Sequence, residues 1–247
     1  MADADHYDIE PVTAPAGRGA AWLFEGFSLF QKNWLEWIGI TIILFVLTIV
    51  AAIVPFGSFL LNLFIFVFFA GLMLGCRESE QDGDFGVYCL FTGFSEKLGE
   101  LILLGILYSL GMLVIVILMV MVLFVLIGGL GFIAEIQAGE LDNVVQYAMS
   151  ILTAVLFALL LYLPLIMAFW FTPALMVLGK LNVFEAIKMS FTGCLINIVP
   201  FLLYGIVGFI LSILASIPLG LGWLIVFPMI VTSIYISYQD IYESRDT

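Results

Sequence analysis

Six long apolar runs, separated by short polar stretches, set the pattern of the chain. They cover about 37–54, 59–75, 101–126, 148–171, 198–216 and 222–238, and none contains Asp, Glu, Lys or Arg. A helix crossing a hydrocarbon core of about 30 Å needs about 20 such residues, so each run predicts a spanning helix. The runs are apolar throughout and do not alternate, which excludes the strands of a membrane barrel. The third run has 26 residues, about 39 Å of helix, and must tilt or protrude. Pro55-Phe56-Gly57-Ser58 predicts a tight link between the first two spans, and Pro218, Gly220 and Gly222 predict another between the last two.

Amphipathic stretches precede the odd-numbered spans. Leu23, Phe27, Phe30, Trp34 and Trp37 step by three and four, with Glu25, Ser28, Lys32 and Glu36 on the other face. Val87, Phe91, Phe94 and Leu98 repeat the spacing, with Asp84 as candidate N-cap. Phe184, Ile187, Phe191 and Leu195 form a third stripe, and Asn182 with Glu185 has capping-box spacing. Such helices lie in the membrane interface, apolar side down. Within them, Leu23-Phe24-Glu25-Gly26-Phe27-Ser28 nearly recurs as Leu90-Phe91-Thr92-Gly93-Phe94-Ser95, and more weakly as Ile187-Lys188-Met189-Ser190-Phe191-Thr192. The expectation is an all-α, polytopic membrane helical bundle. It has about six transmembrane helices and three interfacial amphipathic helices, one before each odd-numbered span. An interfacial helix followed by a two-span hairpin is used three times, as a parallel internal repeat.

Charge adds orientation. The basic residues are Arg18, Lys32, Arg77, Lys97, Lys180, Lys188 and Arg245, and they fall in the two tails and the second and fourth loops. The first, third and fifth loops have none. Basic residues remain cytoplasmic, so both termini are expected in the cytoplasm, with the chain multi-pass in a bacterial inner membrane. Of the carboxylates, Glu135, Glu140 and Asp142 lie in the third loop and the rest on the basic side, leaving that side acidic. With a net charge of −12, the chain is not expected to bind nucleic acid, whose phosphates need basic neutralisation. Residues 1–21, rich in Asp, Pro and Gly, read as a disordered cytoplasmic tail with no cleavable signal peptide. Residues 22–247 read as a single transmembrane domain.

Two stretches resemble known sequences. Pro173-Ala174-Leu175-Met176-Val177-Leu178, followed by Glu185-Ala186-Ile187-Lys188-Met189-Ser190-Phe191, resembles a junction in the membrane domain of glycerophosphodiester phosphodiesterases. Gly26-Phe27-Ser28-Leu29-Phe30, Ala70-Gly71-Leu72-Met73-Leu74-Gly75-Cys76-Arg77 and Pro218-Leu219-Gly220-Leu221-Gly222-Trp223 resemble uncharacterised proteobacterial six-helix inner-membrane proteins. The resemblance implies a six-helix membrane domain. It does not imply hydrolysis, because in the phosphodiesterases a separate soluble barrel carries that chemistry.

Candidate chemistry is sparse. Cys76, Cys89 and Cys194, expected reduced near the cytoplasmic face, and the lone His6 have no zinc-ligand spacing. Glu78, Glu80, Asp82 and Asp84 read as a solvated loop cap more readily than a calcium site. No metal, cofactor or catalytic residue is expected. Arg77, Lys180 and Lys188 are the candidate contacts to lipid headgroups. The competing readings are an orientation anchor for Arg77, paired with Glu80, and a helix-surface pair with Glu185 for Lys188. Gly71 with Gly75, Gly205 with Gly208, and Gly105, Ser109 and Gly111 offer small faces for packing within the chain or dimerisation. Pro164, Pro200 and Pro228 can bend spans. The spans lack the buried charge of a proton- or ion-coupled transporter. The reading is a non-catalytic scaffold, accessory or modulatory protein, contacting lipids and a membrane-protein partner or a second copy. The alternative is a transporter, channel or lipid-handling protein; an enzyme would need a convergent set of reactive side chains.

Overall fold

The structure, a computed structural model, describes residues 9–81, 85–128 and 144–243. All described secondary structure is helical: α1 (Arg18–Lys32), α2 (Trp34–Ile53), α3 (Gly57–Glu80), α4 (Cys89–Thr92), α5 (Leu98–Leu126), α6 (Val144–Phe169), α7 (Thr172–Val177), α8 (Val183–Ile196), α9 (Ile198–Ser216) and α10 (Trp223–Tyr242). Six helices, α2, α3, α5, α6 continuing into α7, α9 and α10, are long and apolar enough to cross a membrane. Several run past their apolar cores, because polar residues at the ends find partners: α3 reaches Glu80 and α10 reaches Tyr242.

The chain divides into two compact units: residues 1–105 with 167–247, and residues 106–166. The second unit is a hairpin of the outer parts of α5 and α6. Tyr108 and Tyr162 share a hydrogen bond at 3.4 Å, Ser150 Oγ donates to the carbonyl of Leu126 at 3.3 Å, and a methyl at Gly111 would meet Leu165 at 2.7 Å. Among its described apolar side chains only Ala154 is buried and more than half are exposed, as spans facing hydrocarbon require.

The first unit is organised around α10. Its most apolar window is 72% buried, whereas that of α5 is 0% buried, so the last helix and not the longest forms the core. Its second half is rich in hydroxyls and amides, which cannot face lipid without partners. Helix α1 packs across it: a methyl at Gly26 would lie 2.6 Å from the nitrogen of Ser233, and Thr232 Oγ1 donates to the Gly26 carbonyl at 2.8 Å. On its other side α1 meets α9, where a methyl at Gly19 would come within 1.9 Å of the Pro200 carbonyl oxygen. Trp22 and Leu23 are therefore fully buried, and α1 is part of the core.

The expected disordered tail is corrected over residues 9–21. Residues 9–15 run as an extended strap and α1 begins at Arg18. Buried Asn197 explains the order: its Oδ1 accepts from the Ala14 N–H at 2.7 Å, and its Nδ2 donates to the carbonyls of Val12 at 3.0 Å and Gly193 at 2.9 Å. The Val12 N–H donates to the Ile241 carbonyl at 2.8 Å, satisfying an end of α10. One side-chain amide thus replaces a strand partner. Residues 1–8, with His6, lie outside the described residues.

The amphipathic stretch before the first span is α1, broken from α2 at Asn33, and that before the fifth is α8, capped by Asn182, which accepts from the Glu185 N–H at 3.0 Å. Before the third span only the single turn α4 forms, followed by hydrogen-bonded turns up to Leu98. Asp84, its candidate cap, lies outside the described residues.

Replacing Asn197 by Ala removes the partner of the Val12 carbonyl and of the Ala14 N–H, a loss of about 0.5–1.5 kcal/mol for each hydrogen bond. Hydrogen exchange should then show residues 9–17 exchanging freely while α9 stays protected.

Candidate functional site

The polar side chains of the first unit gather at one end, where α3 and α10 finish and α1 begins. Arg77, near the end of α3, is ion-paired with Glu243, just past α10. Glu80, one turn on, accepts from Tyr235 Oη at 2.8 Å and from Gln239 Nε2 at 2.5 Å, and Gln239 Nε2 also donates to Tyr235 Oη at 3.0 Å. One turn of α10 thus fastens the end of α3 through charge and amide together.

Arg18 makes the matching attachment for α1. Its guanidinium lies 2.6 Å from Glu25 and 2.5 Å from Asp240, and Trp22 Nε1 donates to the same Asp240 oxygen at 2.7 Å. The hydrogen bond to Glu25, with a further contribution from Asp240, holds Arg18 above its usual range against the opposing effect of burial. Asn33 Nδ2 donates to Ser79 Oγ at 2.7 Å, tying the α1–α2 break to α3. Tyr242 Oη donates to the Met189 carbonyl of α8 at 3.0 Å. Three helices, α1, α3 and α8, therefore converge on the end of α10.

The residues singled out from sequence separate here. Arg77 lies inside this network. Lys180 and Lys188 do not: both are exposed, and among the described residues neither has an ion pair. Lys188 lies on the outer face of α8, whose Phe184 and Leu195 are also exposed, while Val183, Ala186, Ser190, Gly193 and Cys194 turn inward. Lys180 occupies the left-handed region with φ 57, which a side chain enters at a cost of about 1 kcal/mol. Its carbonyl and that of Leu181 accept from Lys97 Nζ at 3.1 and 2.9 Å, and Lys97 also lies 3.8 Å from Glu100. Lys97 therefore caps the exit from α7, a role hidden from sequence because its partners are backbone atoms 83 and 84 residues away. Asn197, bonded to distant backbone, and Asp240, bonded to side chains more than 200 residues away, were missed because their partners lie far off in the sequence.

The three cysteines are free and buried. Burial pushes the Cys194 thiol up to about 12, and burial, reinforced by the Glu78 carboxylate, raises Cys89. Gly71 and Gly75 pack within the chain: methyls there would lie 2.4 Å from the Cys89 carbonyl oxygen and 2.8 Å from the Cys89 Cβ. Gly205 and Gly208 have open space. Of the acidic cluster, Glu78 and Glu80 are described, while Asp82 and Asp84 lie outside the described residues.

Lys180→Gly should raise the unfolding free energy by about 1 kcal/mol by relieving the left-handed strain, whereas Lys180→Ala should not; thermal unfolding in one detergent compares them. Raised thiol pKa values leave little thiolate, so maleimide labelling of Cys89 and Cys194 at pH 8 should be much slower in the folded protein than after denaturation. Mass spectrometry of the labelled protein reads both sites.

In comparison with known proteins, the chain matches no family model, no curated protein and no solved structure. Its class rests on its own apolar helices: it is a multi-pass integral membrane protein.

Proposed function

We propose that this protein lies in the bacterial inner membrane with both termini cytoplasmic, and that it works by contact, as a non-catalytic scaffold or modulator of a membrane partner. The observation that carries the reading is the mutual bonding of its polar groups. Arg18, Glu25, Asp240, Arg77, Glu80, Tyr235, Gln239 and Glu243 bond to one another across α1, α3 and α10. Groups committed in this way hold helices together. Removing Glu80 leaves the buried Tyr235 and Gln239 without their acceptor, so such a network favours rigidity over turnover.

The orientation is supported by two further features. The strap and the end of α10 are hydrogen-bonded, so the first and last described segments share one end of the bundle. Lys32, Arg77, Lys97, Lys180 and Lys188 lie at the ends of α1 and α3 or in α8 and the segments before α5 and α8, the loops and ends that the positive-inside rule assigns to the cytoplasm. Lys180 and Lys188, exposed beside Phe184, suit contact with lipid phosphates. Arg77, paired with Glu243, suits the role of anchor. The exposed hairpin of α5 and α6 supplies apolar surface for lipid, a second copy or a partner.

Reporter fusions after residues 57 and 140 should read as periplasmic and those after 82 and 182 as cytoplasmic; one reversed pair breaks the topology. Native mass spectrometry of gently extracted protein tests the function. A co-purifying protein or a defined oligomer is the expected result. A monomer holding one specific lipid or solute would overturn the scaffold in favour of transport or lipid handling, and loss of that molecule on Lys180→Ala and Lys188→Ala would locate it.

A further inference from the structure

The three copies of the short repeat share more than letters. In the first two copies every position has the same degree of burial: Leu23 and Leu90 buried, Phe24 and Phe91 exposed, Gly26 and Gly93 buried, Ser28 and Ser95 exposed. In the third, Ser190 stands where the glycines stand and is fully buried, and Lys188 is exposed where the phenylalanines are. The register extends beyond the hexapeptide. At a separation of 164 residues, five of the six buried residues of α1, Gly19, Trp22, Gly26, Leu29 and Phe30, fall on Val183, Ala186, Ser190, Gly193 and Cys194, all buried in α8, and the sixth, Leu23, falls on half-buried Ile187. At the same separation Asn33 falls on Asn197, and each asparagine breaks its helix before the next span.

The small residue at the fourth position makes a close contact in each copy, and the partners follow an order. Gly93 seats on α3, where a methyl would lie 2.0 Å from the Val67 carbonyl oxygen and 3.1 Å from the Gly71 nitrogen. Ser190 seats at the junction of α6 and α7: its Oγ donates to the Met167 carbonyl at 2.8 Å and accepts from the Phe171 N–H at 3.0 Å. Each of these copies sits on the span just before it in the chain. Gly26, ahead of the first described span, seats on α10, against Ser233. Shifting Val67 and Gly71 by the same 164 residues lands on Val231 and Tyr235, which bracket Ser233. The substitute partner is thus the equivalent stretch of the last repeat.

From this register we infer that the chain is three tandem repeats, α1–α3, α4–α7 and α8–α10, whose contacts close in a cycle, with α1 as the clasp that fastens the last repeat to the first. In the second and third repeats the chain itself delivers the seat. In the first, α1 must find α10 across the whole sequence, and it carries the extra fastenings of Arg18 to Asp240, Trp22 to Asp240 and Val12 to Ile241. The clasp is a conformational device: at the end of α10, Asp240 and the Ile241 carbonyl take their partners from the N-terminal segment.

The test has two parts. Cysteine pairs replace Gly26 with Ser233, Gly93 with Val67, and Ser190 with Met167, in full-length protein whose native cysteines are changed to alanine. Each pair should cross-link in membranes, and pairs moved one helical turn along the partner span should not. Equal cross-linking in and out of register overturns the inference. Because glycine replacement can itself block folding, hydrogen exchange of the unaltered chain is the second part. Amides of α1 should be protected as strongly as those in the second half of α10 and be lost together with them under mild denaturation. Fast exchange of α1 beside a protected α10 would show that the clasp does not hold.

Discussion

Hydrocarbon offers no hydrogen bonds, and α10 carries Thr232, Ser233, Tyr235, Ser237, Tyr238, Gln239 and Asp240 in its last three turns. Such a helix is tolerable only if its own chain covers it. The cover comes from α1, α2, α3, α8 and α9; α1 brings a glycine for close approach and an arginine for Asp240, α3 a carboxylate for Tyr235 and Gln239, and α8 a backbone carbonyl for Tyr242. The rest of the first unit follows from this demand. Helices α2 and α9 keep one face on the core and leave the other for lipid.

The spanning helices were legible because they are local: twenty apolar residues in a row have few other fates in a folded chain. The capping of α8 by Asn182 was legible for the same reason, since donor and acceptor are three residues apart. Element ends were less legible. The extension of α3 to Glu80 and of α10 to Tyr242 depends on partners supplied from more than 150 residues away, as with Tyr235 and Glu80. The strap was hidden by composition. A stretch rich in proline and alanine looks disordered until a buried asparagine supplies the hydrogen bonds it lacks.

The site divides along the same line. Arg77 could be read as important from its place at the foot of a span, but its partner Glu243 lies at the other end of the sequence. Lys180 stood out as a charge, and its real peculiarity is its backbone, in a conformation that sequence patterns do not report for lysine. Lys97 was unremarkable as a loop lysine and becomes a cap only when two carbonyls from a distant turn arrive beside it. Charge can be counted along a chain; electrostatic pairing requires the fold.

The hydrogen bond from Val12 to Ile241 has a bearing on biosynthesis. Translation runs from the N-terminus, and the Ile241 carbonyl is made 229 residues after Val12. Until α10 has been made, the strap and α1 have no helix to grip, and the apolar face of α1, with Trp22, Leu23 and Phe30, is without its final cover. That face must be sheltered by lipid headgroups or by the insertion machinery until α10 arrives. A chain cut short before residue 231 therefore keeps all of its earlier spans and still lacks the surface that houses its first helix.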